Sequence, residues 1–104
     1  MKRWTCYICG RDVVEGQIFT FTSKGAVHLS CLHRSMAPRL YRNNTDAALF
    51  ELMTFANEGI VKVKNVEDMV EDEEVRKLVL EFRKSLEGFA ARLTNKLVER
   101  IGGT

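Results

Sequence analysis

No run in this sequence is apolar over the roughly 20 residues that a bilayer-crossing helix needs. The opening, MKRWTCYICG, is basic but has no apolar stretch behind it, so it does not read as a secretion signal and the cytoplasm is the expected address. Cysteine is sparse and odd in number, three in 104 residues. A disulfide framework would leave one thiol over, and a reducing cytosol disfavours disulfides in any case. A metal site absorbs all three thiols, provided a fourth ligand exists. Phosphate-binding glycine loops, an informative Ser/His/Asp arrangement and the zinc-deaminase order of His-x-Glu before Pro-Cys-x-x-Cys are all missing. Internal repeats and low-complexity tracts are missing too. An enzyme is therefore not expected, and no small-molecule substrate is evident.

What is present is an ordinary globular balance, 45% apolar and 29% charged. The net charge of +2 is unevenly spread. Residues 1–44 carry seven basic and two acidic side chains, a balance of +5, while residues 45–104 carry nine basic and twelve acidic, a balance of −3. The basic half is also the cysteine half, which points to an anionic partner for it. Lys2, Arg3, Arg11, Lys24, Arg34, Arg39 and Arg42 are its candidate phosphate contacts.

Cysteine and histidine fall in the order Cys6-x2-Cys9-x18-His28-x2-Cys31. Two residues between ligands let a tight knuckle aim both side chains at one ion, and Gly10 supplies the turn. Eighteen residues suit a β-hairpin that brings the chain back. Gln17–Thr22 (QIFTFT) alternates aromatic with β-branched residues as a strand does, Ser23-Lys24-Gly25 is a turn signal, and Ala26–His28 reads as the returning strand. Phe19 and Phe21 are expected to form the small core of this module. If exposed, they could instead stack bases together with Trp4 and Tyr7. Ser30 can cap a short helix over 31–41 that holds Cys31 in its first turn and is limited by Pro38. Cys6, Cys9, His28 and Cys31 thus predict one closed structural zinc ion per chain, since soft thiolates with an imidazole favour zinc over magnesium or calcium. His33, inside the short helix, is the competing histidine and fits less well.

The remainder reads as helical. Asn43-Asn44-Thr45 supplies a cap for a helix over 46–57 whose apolar residues surround it, as a buried helix requires. Gly59 predicts a stop, Ile60–Lys64 (IVKVK) a short strand, and Asn65 a capped turn through 70. Asp72 can cap a final helix over 72–101, with Glu73 and Glu74 in its first turn and Gly102-Gly103 ending it. The expected fold is α+β. A zinc β-hairpin module spans 1–42 and a helical region 43–104, packed together as one small domain.

The segment CYIC…GAVHLSC, with its knuckle, hairpin and ligands leading into a helix, resembles the treble-clef arrangement of zinc fingers. Over about residues 4–32 it is similar to the first half of a LIM-type finger. A second LIM module is absent because no cysteine follows Cys31. The whole chain resembles a small uncharacterised archaeal protein family with this N-terminal zinc motif and a helical C-terminus. That likeness implies the architecture and points to no activity.

Two binding roles follow. The basic module could bind nucleic acid or a ribonucleoprotein, which is the preferred reading. Alternatively, the last helix could make a homodimer through the stripe Val75, Val79, Phe82, Leu86, Phe89, Leu93, Leu97 and Ile101. Its steps of three and four start heptad-like and then drift toward a straight helix, so a long two-stranded coiled coil is not expected.

Overall fold

A computed structural model describes residues 3–101, and so excludes Lys2 and the Gly102-Gly103 stop. Its order is β1 (Arg3–Thr5), β2 (Asp12–Val14), β3 (Phe19–Thr22), β4 (Gly25–His28), α1 (Leu29–Leu40), α2 (Asn44–Glu67) and α3 (Glu73–Ile101). The architecture is the expected α+β, two small antiparallel hairpins followed by three helices of which the last is long.

β3 and β4 pair with Phe21 opposite Ala26 and Thr22 opposite Gly25, whose φ of 122° only glycine adopts without strain. Of the two phenylalanines expected in the module's core, Phe19 packs against the buried cluster and Phe21 does not. Thr20 is buried, and its hydroxyl lies 3.0 Å from that of Thr94 on α3. Thr94 donates its own proton to the carbonyl of Ala90 at 2.8 Å, so Thr20 is the donor of the pair. Phe19 and Phe21 lie on the opposite face and pack around Trp4, with ring centroids 5.2 to 5.5 Å apart, and Phe21 stays about half exposed. The inner face sets Thr20 beside the buried Val27 and adds a hydroxyl contact joining residues 74 positions apart.

α1 begins two residues earlier than expected. His28 occupies the cap position in extended geometry without a side-chain cap bond, and Ser30 is already inside the helix. Asn43 caps α2 as expected, accepting from the amides of Thr45 (2.8 Å) and Asp46 (3.2 Å). Asp72 likewise accepts from the Val75 amide at 3.0 Å and starts α3.

The central correction concerns residues 58–67. Gly59 does not stop α2, Ile60–Lys64 is helical and not a strand, and Asn65 is intrahelical. α2 and α3 form an antiparallel pair, located by Asp46 against Arg100, Gly59 against Leu86, and Glu67 against Arg83 at 3.0 Å. A Cβ on Gly59 would sit 3.2 Å from Leu86 Cδ1, so the glycine lets α3 approach α2 closely. Helix propensity of single residues, within about 1 kcal/mol each, yields to that packing. Residues 46–57 are not buried all round either, since Leu52 and Phe55 face solvent.

One buried cluster joins Cys6, Val13, Val27 and Leu32 to Met36, Leu40, Phe50, Met53 and Leu97. Of the apolar stripe on α3, Leu97 belongs to this intramolecular core and Ile101 packs against it, while Val75, Phe82 and Phe89 are exposed.

Candidate metal centre

The hairpin of β1 and β2 frames the first ligand pair. Cys6 donates its amide to the Arg11 carbonyl, Gly10 donates to the Cys6 carbonyl, both at 2.9 Å, and Gly10 has a φ of 77°. This folds Cys6–Cys9 into a knuckle. The Tyr7 amide fastens it to β4 through the Ala26 carbonyl at 3.1 Å. The second pair sits where β4 becomes α1. His28 ends the strand, and Cys31 lies in the first helical turn, where the dipole favours a thiolate. The ligand atoms of Cys6, Cys9, His28 and Cys31 all lie within 4.8 Å of one another, so together they could hold one metal ion.

The histidine is set for coordination. Its Nε2 lies 3.0 Å from the Asp12 carbonyl and 3.2 Å from Gln17 Oε1. A carbonyl only accepts, so Nε2 carries a proton and Nδ1 is the nitrogen left to face a metal ion. Nδ1 faces the sulfurs, 3.4 Å from Cys9 and 3.8 Å from Cys31. Such outer partners fix both tautomer and ring orientation of a metal-binding histidine. Gln17 Oε1 also accepts from the Val14 amide at 2.9 Å, which ties the ring to both hairpins.

The thiols are poised unequally. Burial raises the Cys6 thiol, but amides of Cys9, His28 and Ile8 and the Cys9 thiol more than offset it and bring it down to about 6. Burial pushes the Cys31 thiol up, and the neighbouring Cys9 and Cys6 sulfurs push it further. Three sulfurs crowded this closely resist joint ionisation, and a cation between them removes the conflict.

A family model described as an uncharacterized protein conserved in archaea (DUF2175) matches residues 2–99. The chain belongs to this archaeal family. No curated protein and no solved structure matches it significantly.

In this DUF2175 chain, His33 is turned away from the cluster: its Nε2 meets the Tyr41 hydroxyl at 3.0 Å, and its ring packs 5.1 Å from Phe50. The basic residues fall into two groups. Arg3 pairs with Asp12 at 3.4 Å on the surface, and Arg39 donates to the carbonyls of Ile101 and Ser35 at 3.5 and 3.4 Å. Arg11, Lys24, Arg34 and Arg42 are exposed. Lys2 lies outside the described residues.

Sequence reasoning missed Asp12 and Gln17 as supports of His28. Neither has a spacing signal, because one acts through its carbonyl and the other reaches across a turn. Gln17→Ala should weaken metal affinity about 10-fold, the lower end for such supports. A chelator-competition titration measures this, and unchanged affinity would show that the Asp12 carbonyl alone holds the ring.

Proposed function

We propose that the chain is a non-enzymatic zinc protein whose zinc-held N-terminal module binds nucleic acid or a ribonucleoprotein in the cytoplasm. The carrying observation is the convergence of three sulfurs and Nδ1 of His28 within 4.8 Å. At zinc–sulfur bonds of about 2.3 Å, sulfurs of a tetrahedral site stand about 3.8 Å apart, which the cluster reaches with small side-chain rotations. Four protein ligands close the coordination sphere, whereas a catalytic zinc keeps a position for water or substrate. Knuckle, hairpin and helix start, each in its place, support the treble-clef reading. Zinc holds the fold and does no chemistry.

The nucleic-acid reading is supported by the +5 balance of residues 1–44 and by four exposed cations, Arg11, Lys24, Arg34 and Arg42, that make no ion pair among the described residues. Phe21, about half exposed beside Trp4, is the available stacking ring. Elemental analysis of purified protein should give one zinc per chain, and iron in its place would refute that half. For the other half, gel-shift titrations should show binding that weakens about 100-fold between 50 and 200 mM salt, as about four phosphate contacts imply. Absence of binding at the lower salt sinks this role and leaves the zinc assignment standing.

A further inference from the structure

α3 presents two different faces. Ala90, Thr94 and Leu97 turn inward to the core and to Thr20. Val75, Leu78, Phe82 and Phe89, on an adjoining flank, are 44 to 63% exposed. α2 extends that flank. Leu52, Phe55 and Gly59 share one side at steps of three and four, and Gly59 touches Leu86. The antiparallel register therefore sets Phe55 at the level of Phe89, and Leu52 (54%) and Phe55 (71%) are exposed as well. At about 200 Å² for a large apolar side chain, these six leave on the order of 700 Å² of apolar surface. Isolated patches on monomers run to about 300–600 Å², while a stable pair of proteins covers about 800 Å² on each partner.

The occupant is indicated by the order of residues along α3. Reflected about Phe82, Val75 falls on Phe89 and Leu78 on Leu86, and Phe82 falls on itself. Two copies of α3 laid antiparallel thus bring apolar residues together along the contact line, which is what a two-fold contact requires of one surface meeting itself. We propose that this face pairs with the same face of a second copy, α3 against α3 in antiparallel sense, with the two-fold axis passing at Phe82. The result is a four-helix arrangement in which both N-terminal modules stay outside.

Sedimentation equilibrium of the full chain should give twice the 11.9 kDa chain mass at tens of micromolar. Phe82→Glu should raise the dimer Kd at least about 100-fold, because each copy loses an aromatic anchor and like charges meet on the axis. Phe82 is more than half exposed, so helical circular dichroism and metal content should stay at wild-type levels and show that the variant folds. Phe82→Lys alone should also be monomeric, and an equimolar mixture of the two variants should dimerise again, since only at a two-fold axis does residue 82 face itself. A wild-type monomer at millimolar concentration overturns the proposal. So does a dimer that survives Phe82→Glu, or a mixture that stays monomeric; capture of a different protein by a monomeric wild type would assign the face elsewhere.

Discussion

Cys31→Ser should unfold the N-terminal module and leave a helical remnant. Zinc in small finger domains contributes about 10–16 kcal/mol, and a whole domain of this size is stable by only about 5–15 kcal/mol. The strands here are three or four residues long, and two-stranded hairpins of that size are marginal in water on their own. What binds β1–β2 to β4 and α1 is a small buried cluster that includes Val13, Val27 and Leu32, a few backbone bonds, the His28 ring and, on the proposed reading, the zinc that the four ligands would share. Removing Cys31 takes a ligand from inside the buried cluster, where Ser cannot offer a soft thiolate. Zinc content should fall to near zero, and the near-ultraviolet signal of Trp4, packed tilted against Phe19 and edge-on to Phe21, should collapse. Far-ultraviolet helicity should drop only in part, because α2 and α3 hold one another through Gly59 and Leu86 and the ion pairs at both ends. The melting temperature of that remnant should also fall, since Met36, Leu40 and Leu32 share its core. A chelator added to the wild type should reproduce the effect. A variant that keeps full zinc and native melting removes Cys31 from the ligand set.

The ligand cluster was legible because metal coordination imposes its own spacing. Two residues between donors and a hairpin between pairs leave few alternatives, and the geometry around Cys6, Cys9, His28 and Cys31 agrees with them. Asn43 and Asp72 were legible for a similar reason, as a capping side chain acts within three residues of itself. The misread positions depend on partners far along the chain. Gly59 reads as a helix stop until Leu86 lies against it, and the alternation of IVKVK reads as a strand until Val63 is buried and Lys64 reaches Glu15 at 3.8 Å. Thr20 reads as the outer face of a strand until Thr94 meets it. β1 and β2, at three residues each, are too short to show a period. The stripe on α3 was seen as one surface because its spacing is continuous. Packing divides it into a core half and an exposed half, which no local pattern records.

Leu97→Ala tests the inner half of that division and should cost about 3–4 kcal/mol, within the range for a fully buried leucine. Leu97 has no exposed surface and lies in one buried cluster with Leu32, Met36, Leu40, Phe50 and Met53, drawn from α1 and α2. Its neighbours along the same face, Ala90 and Thr94, are buried too, so the backbone has little freedom to collapse into the space left. For a chain of about 100 residues each kcal/mol shifts Tm by roughly 4–8 °C, so a fall of about 15–25 °C is expected in thermal melts. Zinc content should remain at one per chain, because the ligands are set by the knuckle and by the junction of β4 with α1, not by α3. Phe82→Ala supplies the contrast. Phe82 carries more than half its surface in solvent, so its truncation should change the stability of the isolated chain by under about 1 kcal/mol while weakening the proposed dimer. A Leu97→Ala shift no larger than that of Phe82→Ala, measured at concentrations where both are monomeric, would mean that α3 does not close the core from this side. The Thr20–Thr94 pair would then have to hold the helix there alone, and a net hydrogen bond of about 1 kcal/mol is too small for that.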